Sequence, residues 1–158
     1  MELHRLHGRK VSLVGWSLGG VYAREIAKRR PEAVRQVITL GTPFASLEGG
    51  NHAGAVFTLL NRDRAQLPPD LAMRLRETPP VPTTSIYSKT DGIVAWRGCL
   101  ERRTERSENV EVAASHLGMV SHPEVMRIVV DRLAQPEGAW RPLNAPTSPS
   151  PWPKSRAR

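Results

Sequence analysis

The stretch Lys10-Val11-Ser12-Leu13-Val14-Gly15-Trp16-Ser17-Leu18-Gly19-Gly20, continuing through Val21 to Pro31, decides how the chain is read. Lys10 to Gly15 is a short apolar run rich in β-branched residues, bounded by a polar residue and a glycine, as in a strand buried on both faces. From Leu18 to Arg30, the residues Leu18, Val21, Tyr22, Ile26 and Ala27 fall on one helical stripe, and Pro31 ends it. Strand and helix are therefore joined by almost nothing but the Ser17 segment. So tight a turn forces the serine into a strained backbone, and a side chain at Gly15 or Gly19 is expected to collide with the neighbouring element. The turn also lifts the Ser17 hydroxyl out at the strand's carboxyl end. It aims the helix N-terminus, and the Leu18 amide in particular, at the place where an oxyanion would develop.

The same alternation continues along the chain. Gln36 to Leu40 is a second strand candidate, ending at Gly41-Thr42-Pro43; Thr83 to Ser88 is a third and Asn109 to Ala113 a fourth. Ile93 to Thr104 is expected to be a crossover helix, and Pro123 to Ala134 a closing helix with proline in its first turn. This pattern predicts an α/β domain over residues 1–135, with a parallel sheet of about four strands and flanking helices. Between Phe44 and Pro82 the alternation lapses, with helix-forming residues from Leu67 to Arg76. Residues 44–82 are read as a small cap-like insertion over the site, a loosely ordered connection being the alternative. Pro136 to Arg158 is proline-rich and basic without apolar period, and is expected to be a disordered tail.

Composition narrows the function classes. The 158 residues suit one domain, and the formal net charge is +8. Part of that charge lies in the tail, on Arg141, Lys154, Arg156 and Arg158. The rest is spread over residues such as Arg29, Arg30, Arg62, Arg74, Arg102 and Arg103, mostly on polar helix faces. No zinc-finger, RNP or P-loop spacing accompanies it, so no nucleic-acid partner is expected. The single cysteine, Cys99, excludes an internal disulfide. His4 and His7 lack a third ligand nearby, so neither a metal nor a cofactor is expected. No run is long enough for an integral membrane segment, and no signal-peptide core is visible, so a cytoplasmic location is expected.

A serine hydroxyl at its free pKa is a poor nucleophile. It needs an imidazole to take its proton and a carboxylate to hold that imidazole in one tautomer. Asp91 lies just past the third strand candidate, in Tyr87-Ser88-Lys89-Thr90-Asp91-Gly92-Ile93-Val94. His116 lies just past the fourth, in Ala114-Ser115-His116-Leu117-Gly118-Met119. Alone, Asp91-Gly92 reads as a turn and His116 as a loop histidine. Together with Ser17 they occupy three strand ends in the order serine, acid, base. Asp63 sits among arginines, Asp70 lies between prolines and His122 precedes Pro123, so none of these is placed for the same roles.

These stretches resemble bacterial lipase-like and esterase-like α/β-hydrolases. Val-Ser-Leu-Val-Gly-Trp-Ser-Leu-Gly-Gly is similar to their nucleophile elbow. Leu-Gly-Thr-Pro-Phe is similar to the strand end that follows, and the Asp91 and His116 loops to their acid and base loops. The resemblance runs from about Val11 to Leu133. It implies an acyl-enzyme mechanism on carboxylic esters, from small molecules or lipids, with Ser17, His116 and Asp91 in those roles. Gly15, Leu18 and Gly19 would form the elbow and oxyanion positions, while Trp16 and Phe44 are expected to help bind substrate.

Family members carry further strands before the elbow, and a loop there supplies a second oxyanion amide. Here only Met1 to Lys10 precede the first strand, so a partial fold corresponding to the C-terminal half of the domain is expected, with an open edge at Val11 to Gly15. Three readings follow: a start assigned too far downstream, an inactive hydrolase-like remnant or scaffold, or pairing with another chain to complete the sheet. Frame translation upstream of Met1 separates the first from the others.

Overall fold

The computed structural model describes residues 2–45 and 69–143. In chain order these form α1 (Glu2–His7), β1 (Val11–Trp16), α2 (Leu18–Arg29), β2 (Val34–Leu40), α3 (Pro69–Arg76), β3 (Thr83–Tyr87), β4 (Ser107–Glu111) and α4 (Pro123–Ala134), with short 3₁₀ turns at Trp96–Cys99 and Gly118–Val120. The four strands make one sheet in the order β1-β2-β3-β4. All three pairings are parallel, with Gly15 opposite Thr39, Thr39 opposite Ser85, and Ser85 opposite Asn109. Every carboxyl end therefore lies on one edge, and loops after the strands meet there.

The apolar run of β2 explains why both faces are covered. Val37 faces a cluster with Ala23 and Ala27 of α2, Val34 and Val81. Its neighbour Ile38 faces the opposite cluster, with Leu40, Ile86, Met119 and Val125, Ile128 and Val129 of α4. Successive side chains in a strand point to opposite faces, so a continuous apolar run belongs to a central strand sandwiched by helices. β1 and β4 are the sheet's edges. On β1, Leu13 packs under α2, whereas Val14 on the other face is 45% exposed.

Two ion pairs are buried between elements far apart in sequence. The Arg24 guanidinium on α2 pairs with Glu101, donates to the Glu77 carbonyl at 3.0 Å and lies 3.5 Å over the Phe44 ring. Burial pulls the Arg24 pKa down, with the Glu101 charge opposing that fall. On the other face Arg132 of α4 pairs with Glu108 at 2.8 Å, and Glu108 also accepts from the Thr84 hydroxyl at 2.7 Å and the Leu143 amide at 2.6 Å. A buried charge is tolerated only where partners replace its water; Arg132–Glu108 meets that condition, and Arg24 meets it at both terminal nitrogens, its buried Nε having no hydrogen-bond partner among the described residues.

Four expectations change. Ile93 to Thr104 is not a helix: it holds only the 3₁₀ turn Trp96–Cys99, in a connection whose polar groups bond to the sheet instead. The Ser85 hydroxyl donates to the Cys99 carbonyl at 2.5 Å, and the Glu101 amide donates to the Asn109 side chain at 2.7 Å. The short helix α1 was not expected. Residues Pro136 to Leu143, assigned to the tail, fold back over the amino ends of the strands. There the Gln135 amide group donates to the Arg141 carbonyl at 3.0 Å, and Leu143 packs on the core. Of the cap-like insertion, residues 46–68 lie outside the described residues, as do residues 144–158 of the tail. The described part of that insertion includes α3 and then Val81 and Pro82, which belong to the scaffold: the Val37 amide donates to the Pro82 carbonyl at 2.9 Å.

Candidate active site

Ser17 stands between β1 and α2 with φ 52° and ψ −124°, the one non-glycine residue with positive φ among the described residues. Such a backbone costs about 1–3 kcal/mol and persists only where surrounding contacts enforce it. Here they do. The Ser17 amide donates to the Leu40 carbonyl of β2 at 2.8 Å, and its carbonyl accepts from the Gly20 amide at 3.1 Å. A Cβ on Gly15 would lie 2.5 Å from the Gly19 carbonyl oxygen and from the Gly20 nitrogen and Cα, so glycine is required there. Gly19 is a correction: among the described residues its missing side chain would meet nothing within 4 Å beyond its own helix and chain neighbours. The second close approach is at Gly20, where a Cβ would lie 2.0 Å from the Thr42 hydroxyl oxygen. The Gly19-Gly20 pair left that ambiguity, because the sequence does not say which of two consecutive glycines faces β2.

The acid and base meet. His116 Nδ1 lies 2.8 Å from Asp91 Oδ2, with His116 4% exposed and Asp91 5% exposed. The other carboxylate oxygen, Oδ1, accepts from the backbone amides of Ile93 at 3.0 Å and Val94 at 2.6 Å. An ionised carboxylate only accepts, so in a neutral imidazole paired with it the proton of the shared bond would sit on Nδ1 and leave Nε2 as an acceptor. Among the described residues no hydrogen bond joins the Ser17 hydroxyl to this imidazole, but the elbow and the histidine loop touch one residue earlier. There the Trp16 indole donates to the His116 carbonyl at 3.1 Å, with the two rings 5.2 Å apart.

Two further residues hold the pair, neither singled out by the sequence. The Ser88 hydroxyl oxygen accepts from the amides of Thr90 at 3.1 Å and Ala114 at 3.2 Å, joining the acid loop to the histidine loop. The His116 amide donates to the Asp91 carbonyl at 2.9 Å, adding a backbone link. Gly41, with φ 53°, lies directly against the pair: a Cβ there would sit 3.0 Å from Asp91 Oδ2, 3.2 Å from His116 Nδ1 and 3.2 Å from the sulfur of Met119. A strand-ending glycine before Thr-Pro was the available signal for Gly41; a serine three residues before an acid offers none.

Of the remaining expected positions, Leu18 opens α2, where the first amides of a helix lack intrahelical partners. Phe44 is not brought to the site. It is 1% exposed beneath Arg24, because the guanidinium needs a face to cover it as much as the ring needs burial. A cleft of about 570 Å³ lined by Arg9, Lys10, Ser12, Arg35 and Gln135 lies at the amino ends of the strands and touches none of Ser17, Asp91 or His116. Among the described residues no helix is long and apolar enough to cross a membrane.

Cys99 is buried behind the acid loop. Burial first, and the Asp91 charge second, push its thiol from 9.0 up to about 12. Only the thiolate reacts, so at pH 8 the folded protein is expected to consume a disulfide reagent roughly 10³-fold more slowly than the urea-unfolded chain. Comparable rates in the two states would show that the connection after β3 opens readily.

Neither a protein-family model nor a curated protein matches the sequence. Solved structures do match. The chain is similar to a monoacylglycerol lipase from Paleococcus ferrophilus, at 18% identity and TM-score 0.59, over 82% of this chain and 70% of that one. It is similar to an α/β superfamily hydrolase from Oenococcus oeni PSU-1, at 15% identity and TM-score 0.59, over 82% and 68%. A lipase-esterase related protein from Clostridium acetobutylicum matches at 15% identity and TM-score 0.52, over 80% and 67%. The parallel sheet, the serine turn between its first strand and helix, and these likenesses agree: the chain carries part of the α/β-hydrolase fold.

Proposed function

We propose that the chain is a serine hydrolase of carboxylic esters. The observation that carries this reading is the buried 2.8 Å contact between His116 Nδ1 and Asp91 Oδ2, at the sheet edge where the strained Ser17 turn also lies. Ser17 attacks the ester carbonyl while His116, through Nε2, takes its proton. The tetrahedral oxyanion forms at the start of α2, where the Leu18 amide and the helix dipole stabilise it. His116 then returns the proton to the leaving alcohol, and water repeats the sequence on the acyl-Ser17 intermediate. Asp91 keeps its charge throughout and fixes the imidazole.

A fluorophosphonate probe tests this reading directly, because it is captured only by an activated serine. Incubation of the folded full chain is expected to label the peptide containing Ser17, and the Ser17→Ala protein is expected to stay unlabelled. Absence of label on folded protein, or equal label on both, would remove the proposal.

A further inference from the structure

Trp16 was expected to contact substrate; it is 36% exposed, and among the described residues its side chain also makes two contacts with the histidine loop. Its indole Nε1 donates to the backbone carbonyl of His116 at 3.1 Å, and its ring centre lies 5.2 Å from the imidazole at an angle of 39°. Trp16 is also the residue bonded to Ser17. One side chain therefore runs from the nucleophile's own segment to the segment of the base, across 100 positions of sequence. Asp91 holds the imidazole from one side, through Nδ1, and Ser88 and Gly41 hold the loop's backbone and floor. Among the described residues, none of these other contacts reaches the histidine loop from the elbow itself.

We infer that Trp16 is a positioning residue, whose indole sets the distance between the Ser17 hydroxyl and His116. This rests on the serine-hydrolase reading. Two physical effects separate cleanly. The N–H fixes the loop by a directional bond, which a phenyl ring cannot make. The ring lies within cation–π reach of the imidazolium that forms once His116 has taken the serine proton; a phenyl ring retains part of that attraction and a methyl group none. Displacing a reacting pair by a fraction of its contact distance slows the chemical step and leaves the ground-state affinity for substrate alone.

The test compares the full chain with Trp16→Phe and Trp16→Ala, using a fluorophosphonate whose maximal capture rate and half-saturating concentration are both measured, with amide hydrogen exchange over residues 114–119. The expected maximal rate falls about threefold to tenfold in Trp16→Phe. It falls about thirtyfold to a hundredfold in Trp16→Ala, with half-saturation moving by less than about twofold in both and faster exchange in the histidine loop. A raised half-saturating concentration with unchanged maximal rate would overturn the inference and return Trp16 to substrate binding. So would a Trp16→Phe protein indistinguishable from wild type in rate and exchange. An unlabelled wild-type chain would overturn the serine-hydrolase reading and this inference with it, whereas a labelled wild type with unaffected variants overturns this inference alone.

Discussion

Asp91→Asn is expected to lower Ser17-dependent ester hydrolysis by about 10⁴-fold while the protein stays folded. The size follows from how the carboxylate is held. Oδ1 accepts two backbone amides, Ile93 and Val94, and Oδ2 accepts His116 Nδ1. Asparagine has one oxygen, and those two amides claim it, since an NH₂ group facing them would meet two donors. The NH₂ must then face Nδ1, which becomes an acceptor, and the proton moves to Nε2. That tautomer cannot take the serine proton. The side chain keeps its shape and its hold on the loop, so the loss appears in kcat rather than in stability. Steady-state rates on a short-chain nitrophenyl ester, with circular dichroism as the fold control, measure it. A variant within tenfold of wild type would mean that Asp91 does not orient the base.

The largest expected effect on stability is at Gly15. Gly15→Ala places a methyl group 2.5 Å from three backbone atoms of the α2 start. No side chain can swing aside, so either the helix moves off the strand or the turn unwinds. A loss above about 3 kcal/mol is expected, in the range of severe backbone and packing defects. Gly19→Ala provides the contrast: among the described residues nothing beyond its own helix and chain neighbours lies within 4 Å of the added Cβ, and its φ is not positive. Replacing a helical glycine with alanine there is expected to stabilise by up to about 1 kcal/mol. Urea unfolding of the two variants measures the difference, and equal costs would contradict the described turn.

The elements whose signals are local are legible in the sequence. Gln36 to Leu40 is legible as a strand because Val37, Ile38 and Leu40 are apolar side chains needed on both covered faces, and Pro123 marks the first turn of α4 because proline cannot sit deeper in a helix. The serine turn is legible through its glycines, although the tight approaches fall at Gly15 and Gly20 rather than at Gly15 and Gly19. What stays hidden depends on distant partners. Arg24 looks like one more surface cation on an amphipathic helix until Glu101, 77 positions away, meets it in the interior. Phe44 looks like a site aromatic until the same guanidinium covers it. The stretch after Asp91 has helix-forming residues, yet its first amides turn back to the Asp91 carboxylate and its Trp96 stacks on Tyr87 at 5.8 Å. Those bonds compete with helix formation and win, because they also seat the acid.

The fold-back after α4 has a mechanical consequence. Leu143 is tied to Glu108 near the start of β4, and Arg35 near the start of β2 donates to the Leu133 and Gln135 carbonyls. Ser17, Asp91 and His116 follow the opposite ends of the strands, about 20 Å away across the sheet. Leu143, the last described residue, therefore lies at the pole opposite the reacting edge, so contacts made there load the scaffold without touching the three reacting side chains.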